Sequence, residues 1–87
     1  MMRISVVQQS SQTVTLRIEG EVKGRWVGEL DRACEEALSL GFRLNLDLAD
    51  VSFIDIDGLN LFRVLVGRQV VLANPCPFIA EQLGVQK

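Results

Sequence analysis

Four aspartates, Asp47, Asp50, Asp55 and Asp57, crowd into the short stretch from Leu46 to Leu59. Carboxylates so close in sequence could hold a divalent cation, which takes oxygen ligands, or divide general acid and base work between them. Either chemistry needs the groups folded onto one point. Strand alternation sends Asp47 to a polar face, and Asp50 sits in a loop-like Ala-Asp-Val turn. The chain has no histidine, and the stretch offers no basic partner and no phosphate-cradling glycine loop. No catalytic residue, metal site or cofactor is therefore expected.

Asp57 stands apart from the other three. It directly precedes Gly58, where an alternating strand runs through a short acidic loop into a helix. A helix N-terminus carries unsatisfied N–H groups and a partial positive charge. A side chain placed there can cap the helix, carry a phosphate or face a partner. Asp57 is expected to be the N-cap, accepting from the N–H of residue 59 or 60, with Asp55 bonding loop N–H groups to fix the turn.

The elements that must position this junction are legible from periodicity. Period two appears in Ile4 and Val6, in Val14, Leu16 and Ile18, and in Phe42, Leu44, Leu46 and Leu48. Such alternation marks strands with one buried and one wet face, so helices should cover mainly one face of the sheet. Arg17, Arg43 and Asn45 should then be more exposed than Leu16, Leu44 and Leu46. Gln8 to Gln12 reads as the first turn.

From about Gly24 to Leu40, Trp26, Val27, Leu30, Ala33, Cys34, Ala37 and Leu38 follow helical spacing, and Gly41 can end that helix. Trp26 belongs at the rim of the core and Cys34 inside it. A second helix should run from Gly58 to Val66, stopped by Gly67. Its wheel buries Leu59, Phe62, Leu65 and Val66, turns Asp57, Asn60, Arg63 and Val64 outward, and leaves Leu61 at the boundary. Gln69 to Ala73 reads as a short, well-covered strand. Asn74-Pro75-Cys76-Pro77 forces a turn, with Pro77 opening a last helix through Leu83 and Cys76 as a weak cap. The expected order is β-β-α-β-α-β-α, an α/β fold with a mixed four-stranded sheet and about three helices.

Eighty-seven residues allow one domain, here residues 1–87. Apolar residues make up 48% of the chain and charged ones 23%, the balance of an ordinary globular protein. A net charge of −2 with no basic block gives nucleic-acid binding little electrostatic footing. No apolar run approaches the roughly 18 residues of a membrane span, and the start of the chain, with Arg3, is not a signal peptide. A cytoplasmic location without membrane insertion is expected, with both cysteines reduced.

The loop Asp55-Ile56-Asp57-Gly58-Leu59 resembles the Asp-Ser-Ser-Gly-Leu loop of the STAS domain family, the anti-sigma factor antagonists. Gly20-Glu21-Val22 resembles that family's Gly-Glu-Leu strand end, the run from Leu46 to Asp55 its central strand, and Asn74-Pro75-Cys76-Pro77 its Asn-Pro-Ser-Pro turn. The likeness spans nearly the whole chain. It implies a bacterial protein-binding domain without catalysis, acting in signalling and transcription regulation by docking on an anti-sigma factor that is also a serine kinase. In the family the serine before the glycine is the phosphoacceptor, and its phosphorylation ends binding. Asp57 occupies that position and Ile56 the one before it, so the usual switch cannot operate here. Asp57 can stand as a weak phosphate mimic or as a cap alone.

The partner-binding residues implied are Asp55, Ile56, Asp57, Gly58, Asn60, Leu61 and Val64. The last helix is short, with the sequence ending at Lys87, which leaves less surface for a partner or a homodimer. Two functional classes stay open: an interaction module for an anti-sigma factor or related regulator, and an accessory subunit of a lipid-transport or other membrane transport complex.

Overall fold

The computed structural model describes residues 1–84; the end of the sequence up to Lys87 lies outside the described residues. Strands β1 (Met2–Gln9), β2 (Thr13–Val22), β3 (Arg43–Ile54) and β4 (Val71–Ala73) alternate with helices α1 (Arg25–Ser39), α2 (Ile56–Gly67) and α3 (Pro77–Leu83), in the expected order β-β-α-β-α-β-α. They form one four-stranded sheet ordered β1-β2-β3-β4. β1 pairs with β2 antiparallel, while β2 with β3 and β3 with β4 pair parallel. The β1–β2 hairpin is closed by Ser10, whose Oγ accepts from the N–H of Thr13 at 3.1 Å and of Gln12 at 3.3 Å.

Alternation decides which face is dry. Val14, Leu16 and Ile18 of β2 and Leu44, Leu46 and Leu48 of β3 are buried in one cluster with Leu30 and Cys34 of α1, Phe62 and Leu65 of α2, and Ile79 of α3. The helices therefore share one face of the sheet. Arg43 is exposed and Arg17 and Asn45 half-buried, against buried Leu16, Leu44 and Leu46. Trp26 packs against the core as a partly buried rim residue, its ring 5.1 Å from the Arg25 guanidinium carbon. Burial pushes the Cys34 thiol up to about 12, with Asp31 and Glu35 adding to the effect. It stays a protonated, unreactive thiol at neutral pH.

Several boundaries differ from expectation, each for a local reason. β3 runs on to Ile54 through Ala49, Asp50 and Val51, the residues read as a turn. Register shifts against β2 between Arg17 and Glu19, and again between Gly20 and Glu21, let pairing resume, with Asp50 opposite Glu19. Such irregularities break period two, which is why the neighbours Ala49 and Asp50 are both exposed, and likewise Ser52 and Phe53.

β4 is an edge strand of three residues rather than a covered one, and Val71 is exposed. At the other edge Val6 is exposed too. α2 does not stop at Gly67 through a left-handed glycine; the left-handed residue is Gln69, with φ 69°, and Arg68 closes the helix end and pairs with Glu35 of α1. Val66 is exposed instead of buried, facing a groove of about 350 Å³ between α2 and α3. Gly41 takes the left-handed conformation expected after α1. Cys76 stands at the N-cap of α3, but its side chain makes no cap hydrogen bond; Pro77 follows at the start of the helix.

Candidate functional site

Parallel pairing sets Val22 beside Ile54, so the exits of β2 and β3 lie side by side and each feeds a helix. Asp55 ties the two exits together. Its backbone N–H donates to the Val22 carbonyl at 3.0 Å. One carboxylate oxygen accepts from the Gly58 N–H at 2.8 Å and the other from the Gly24 N–H at 2.9 Å. Gly24 is the N-cap residue of α1 and Gly58 lies in the first turn of α2. A single side chain thus satisfies donors at the start of both helices.

Asp55, not Asp57, is the N-cap of α2. α2 begins at Ile56, two residues before the expected start, which places Asp57 inside the first turn. Its carboxylate there complements the helix dipole without capping. Both aspartates suit a cap, and the choice falls on Asp55 because the residue after the last paired strand position is still extended, with ψ near 180°. The expectation that Asp55 bonds loop N–H groups holds.

The N–H groups of Gly58 and then Gly24 hold the Asp55 carboxyl below the usual carboxylate range. Its folded value is depressed relative to the unfolded one, near 3.9. The stability it contributes is fully present above the unfolded value and is lost as pH falls through the folded one. Asp55→Asn, whose side chain has one acceptor oxygen instead of two, should lower the urea midpoint at pH 7 and flatten the fall in stability below about pH 4. An unchanged acid limb in Asp55→Asn would show that this carboxylate does not link the two helices.

Of the other aspartates, Asp50 is exposed beside Ala49 and Asp47 is engaged elsewhere. Asp47, on the open sheet face, accepts from the Ala49 N–H at 3.1 Å and lies 3.4 Å from both Arg17 and Asn74. The Ala49 N–H chiefly lowers its carboxyl, against desolvation, with Asn74 and Arg17 contributing less. Among the described residues no three His, Cys, Asp or Glu side chains gather as metal ligands, and no helix is long and apolar enough to cross a membrane.

Along α2, about 100° per residue sets Ile56, Asp57, Asn60, Arg63 and Val64 on one outward stripe. All five are exposed, Ile56 by 65% and Val64 by 57%, while Leu61 is half-buried at the edge and Gly58 buried beneath. The structure thus brings together the sequence-chosen residues, with Asp55 and Gly58 as supports rather than surface. Sequence reading missed Gly24, and also Phe53 and Lys23. Phe53 is exposed close to the junction with the Lys23 ammonium 6.0 Å from its ring centroid. Phe53 shares the odd-numbered side of β3 with Arg43, Asn45 and Asp47, so strand alternation was the signal that could have found it.

No family model and no curated protein matches the sequence. Solved structures do. The chain is similar to the anti-sigma factor antagonist SpoIIAA in its unphosphorylated form, with a TM-score of 0.73 and 19% identity over 97% of this chain and 84% of that one. It is also similar to an uncharacterized protein of the DUF3478 family with a SpoIIAA-like fold from Shewanella loihica PV-4, with a TM-score of 0.55 and 10% identity over 82% of this chain and 64% of that one. At these identities the likeness is one of fold: the chain has the mixed α/β fold of SpoIIAA, with its sheet, its three helices and their order.

Proposed function

We propose that this domain is a non-catalytic protein-interaction module that docks a regulator of the anti-sigma factor type in the cytoplasm through the outward stripe of α2. The observation that carries the reading is the division of labour between the two loop aspartates. Asp55 fixes the helix start, with its oxygens bonded to Gly58 and Gly24, so the exposed Asp57 is left to face a partner. Around it Ile56 and Val64 supply exposed apolar area, and Asn60 and Arg63 supply polar groups. Apolar residues with a polar rim on a rigid element are what a specific docking patch needs.

Asp57 carries a fixed negative charge where a serine would be switchable. A phosphate would bring up to about two charges and three acceptor oxygens, so Asp57 imitates it only in sign. The module is accordingly a binder without a phosphate switch at that position.

The test is capture from the native cell with the wild-type chain and with Val64→Glu, partners being identified by mass. A sigma-regulating kinase should be retained by the wild type and weakened about tenfold or more by Val64→Glu, because the new carboxylate is desolvated in the interface. Equal retention by both chains would move the docking surface away from α2. Recovery of a transport ATPase with its permease would overturn the anti-sigma reading in favour of the transport class.

A further inference from the structure

We propose that a second copy of this chain docks on the outer edge of β1, pairing β1 with β1 antiparallel about a two-fold axis to give a weak homodimer. β1 is the end strand of the sheet, so one whole side of its backbone presents unpaired N–H and C=O groups. Natural edges of this kind are guarded by central lysines, prolines or inward charges. β1, with the sequence Met-Arg-Ile-Ser-Val-Val-Gln-Gln, has no proline or lysine, and its single charge, Arg3, lies near one end.

The helix side of this edge is also open. α1 makes its sheet contacts mainly with β2 and β3. It leaves a mainly apolar trough of about 290 Å³ lined by Ile4, Val6, Val14, Leu16 and Leu40, with Glu36 at its wall, and with Val6 60% and Leu40 71% exposed.

Self-pairing suits this edge better than pairing with an unrelated strand. Antiparallel pairing about Ser5 sets Ile4 opposite Val6 of the second copy and Val6 opposite Ile4, apolar against apolar on the helix side. Arg3 falls opposite Val7 of the second copy and never meets its own kind, so no like charges oppose each other. Isologous contact of this sort closes after two copies.

The irregularity after Val6 in the β1–β2 register confines regular pairing to the centre of the strand and limits the area. The five residues from Arg3 to Val7 at about 3.3 Å each give a paired edge about 17 Å long. Together with the two troughs this puts the contact at the low end of specific interfaces, below about 1,200 Å² in total. The dimer is therefore concentration-dependent.

Sedimentation equilibrium of the 87-residue chain tests this. At loadings from about 10 μM to about 1 mM, the range expected of so small an interface, the average mass should climb toward twice that of the monomer. Val6→Lys, at an exposed position, should fold normally and weaken association about tenfold or more. Val64→Glu, on the outward stripe of α2 away from β1, should associate like the wild type, which separates this surface from the α2 site. Amide exchange at Ile4 to Val6 should slow as concentration rises. A constant monomer mass across the range, wild-type association by Val6→Lys, or exchange at β1 independent of concentration would each overturn the proposal.

Discussion

Replacing Phe62 with alanine should lower the unfolding free energy by about 3–5 kcal/mol, the usual cost of a phenylalanine-sized cavity in a packed core. Phe62 is fully buried, in one cluster with the apolar faces of β2 and β3, with α1 and with Ile79 of α3. A domain of this length has a total stability of roughly 4–13 kcal/mol, so the variant should sit near the edge of folding. Val64, two positions on, points the other way and is 57% exposed; Val64→Glu should change stability by no more than about 0.5 kcal/mol. Urea denaturation of the two variants measures the contrast directly. A Phe62→Ala loss under about 1 kcal/mol would mean that α2 is not seated as described. Unfolding by Val64→Glu would remove the proposed docking stripe from the surface.

That contrast was legible in the sequence because α2 is a regular helix, and a regular helix repeats its environment every turn. The same holds for Leu44, Leu46 and Leu48 against Arg43, Asn45 and Asp47, where β3 is still regularly pleated. Legibility ends where a residue's environment is set by another strand. Asp50 faces out and Val51 in only because β3 and β2 slip register beside them, and nothing local to Ala49-Asp50-Val51 encodes that slip. Val71 has the composition of a covered strand but lies at the sheet edge, since strand order is a property of the whole chain.

The candidate site divides along the same line. Asp57, Asn60 and Val64 could be chosen from spacing, whereas Ile56 could be chosen only through the likeness of its loop, because spacing starts the helix at Gly58. The exchange of roles between Asp55 and Asp57 could not. Either residue can cap a helix; the strand stays extended through Asp55, and Gly24, far away in sequence, reinforces that choice by donating its N–H to the second oxygen of Asp55.

Gly58 yields the sharpest test of how α2 meets the sheet. By helix propensity alone, Gly58→Ala should stabilise, because alanine in a helix is favoured over glycine by about 0.8–1.0 kcal/mol. The packing says the opposite. A Cβ at Gly58 would stand 2.9 Å from the Val22 carbonyl oxygen, 2.9 Å from Ile54 Cγ2 and 3.0 Å from Val22 Cγ1. The carbonyl cannot retreat easily, because it accepts the Asp55 N–H at 3.0 Å, and both side chains are buried. Overpacking of this kind costs about 1–3 kcal/mol, which outweighs the propensity gain. The helix start would have to lift, and lifting it pulls the Gly58 N–H away from Asp55.

Gly58→Ala should therefore destabilise, and Gly58→Val more so. Gly28, in the exposed first part of α1 with nothing within 4 Å of its would-be Cβ, carries the same substitution with the opposite sign. Gly28→Ala should stabilise by about 0.5–1 kcal/mol. Urea midpoints that move in opposite directions for the two variants establish that α2 is pressed onto the end of β2 at this one point. A stabilised Gly58→Ala would mean that the helix start stands clear of the strand and that Asp55 alone holds it.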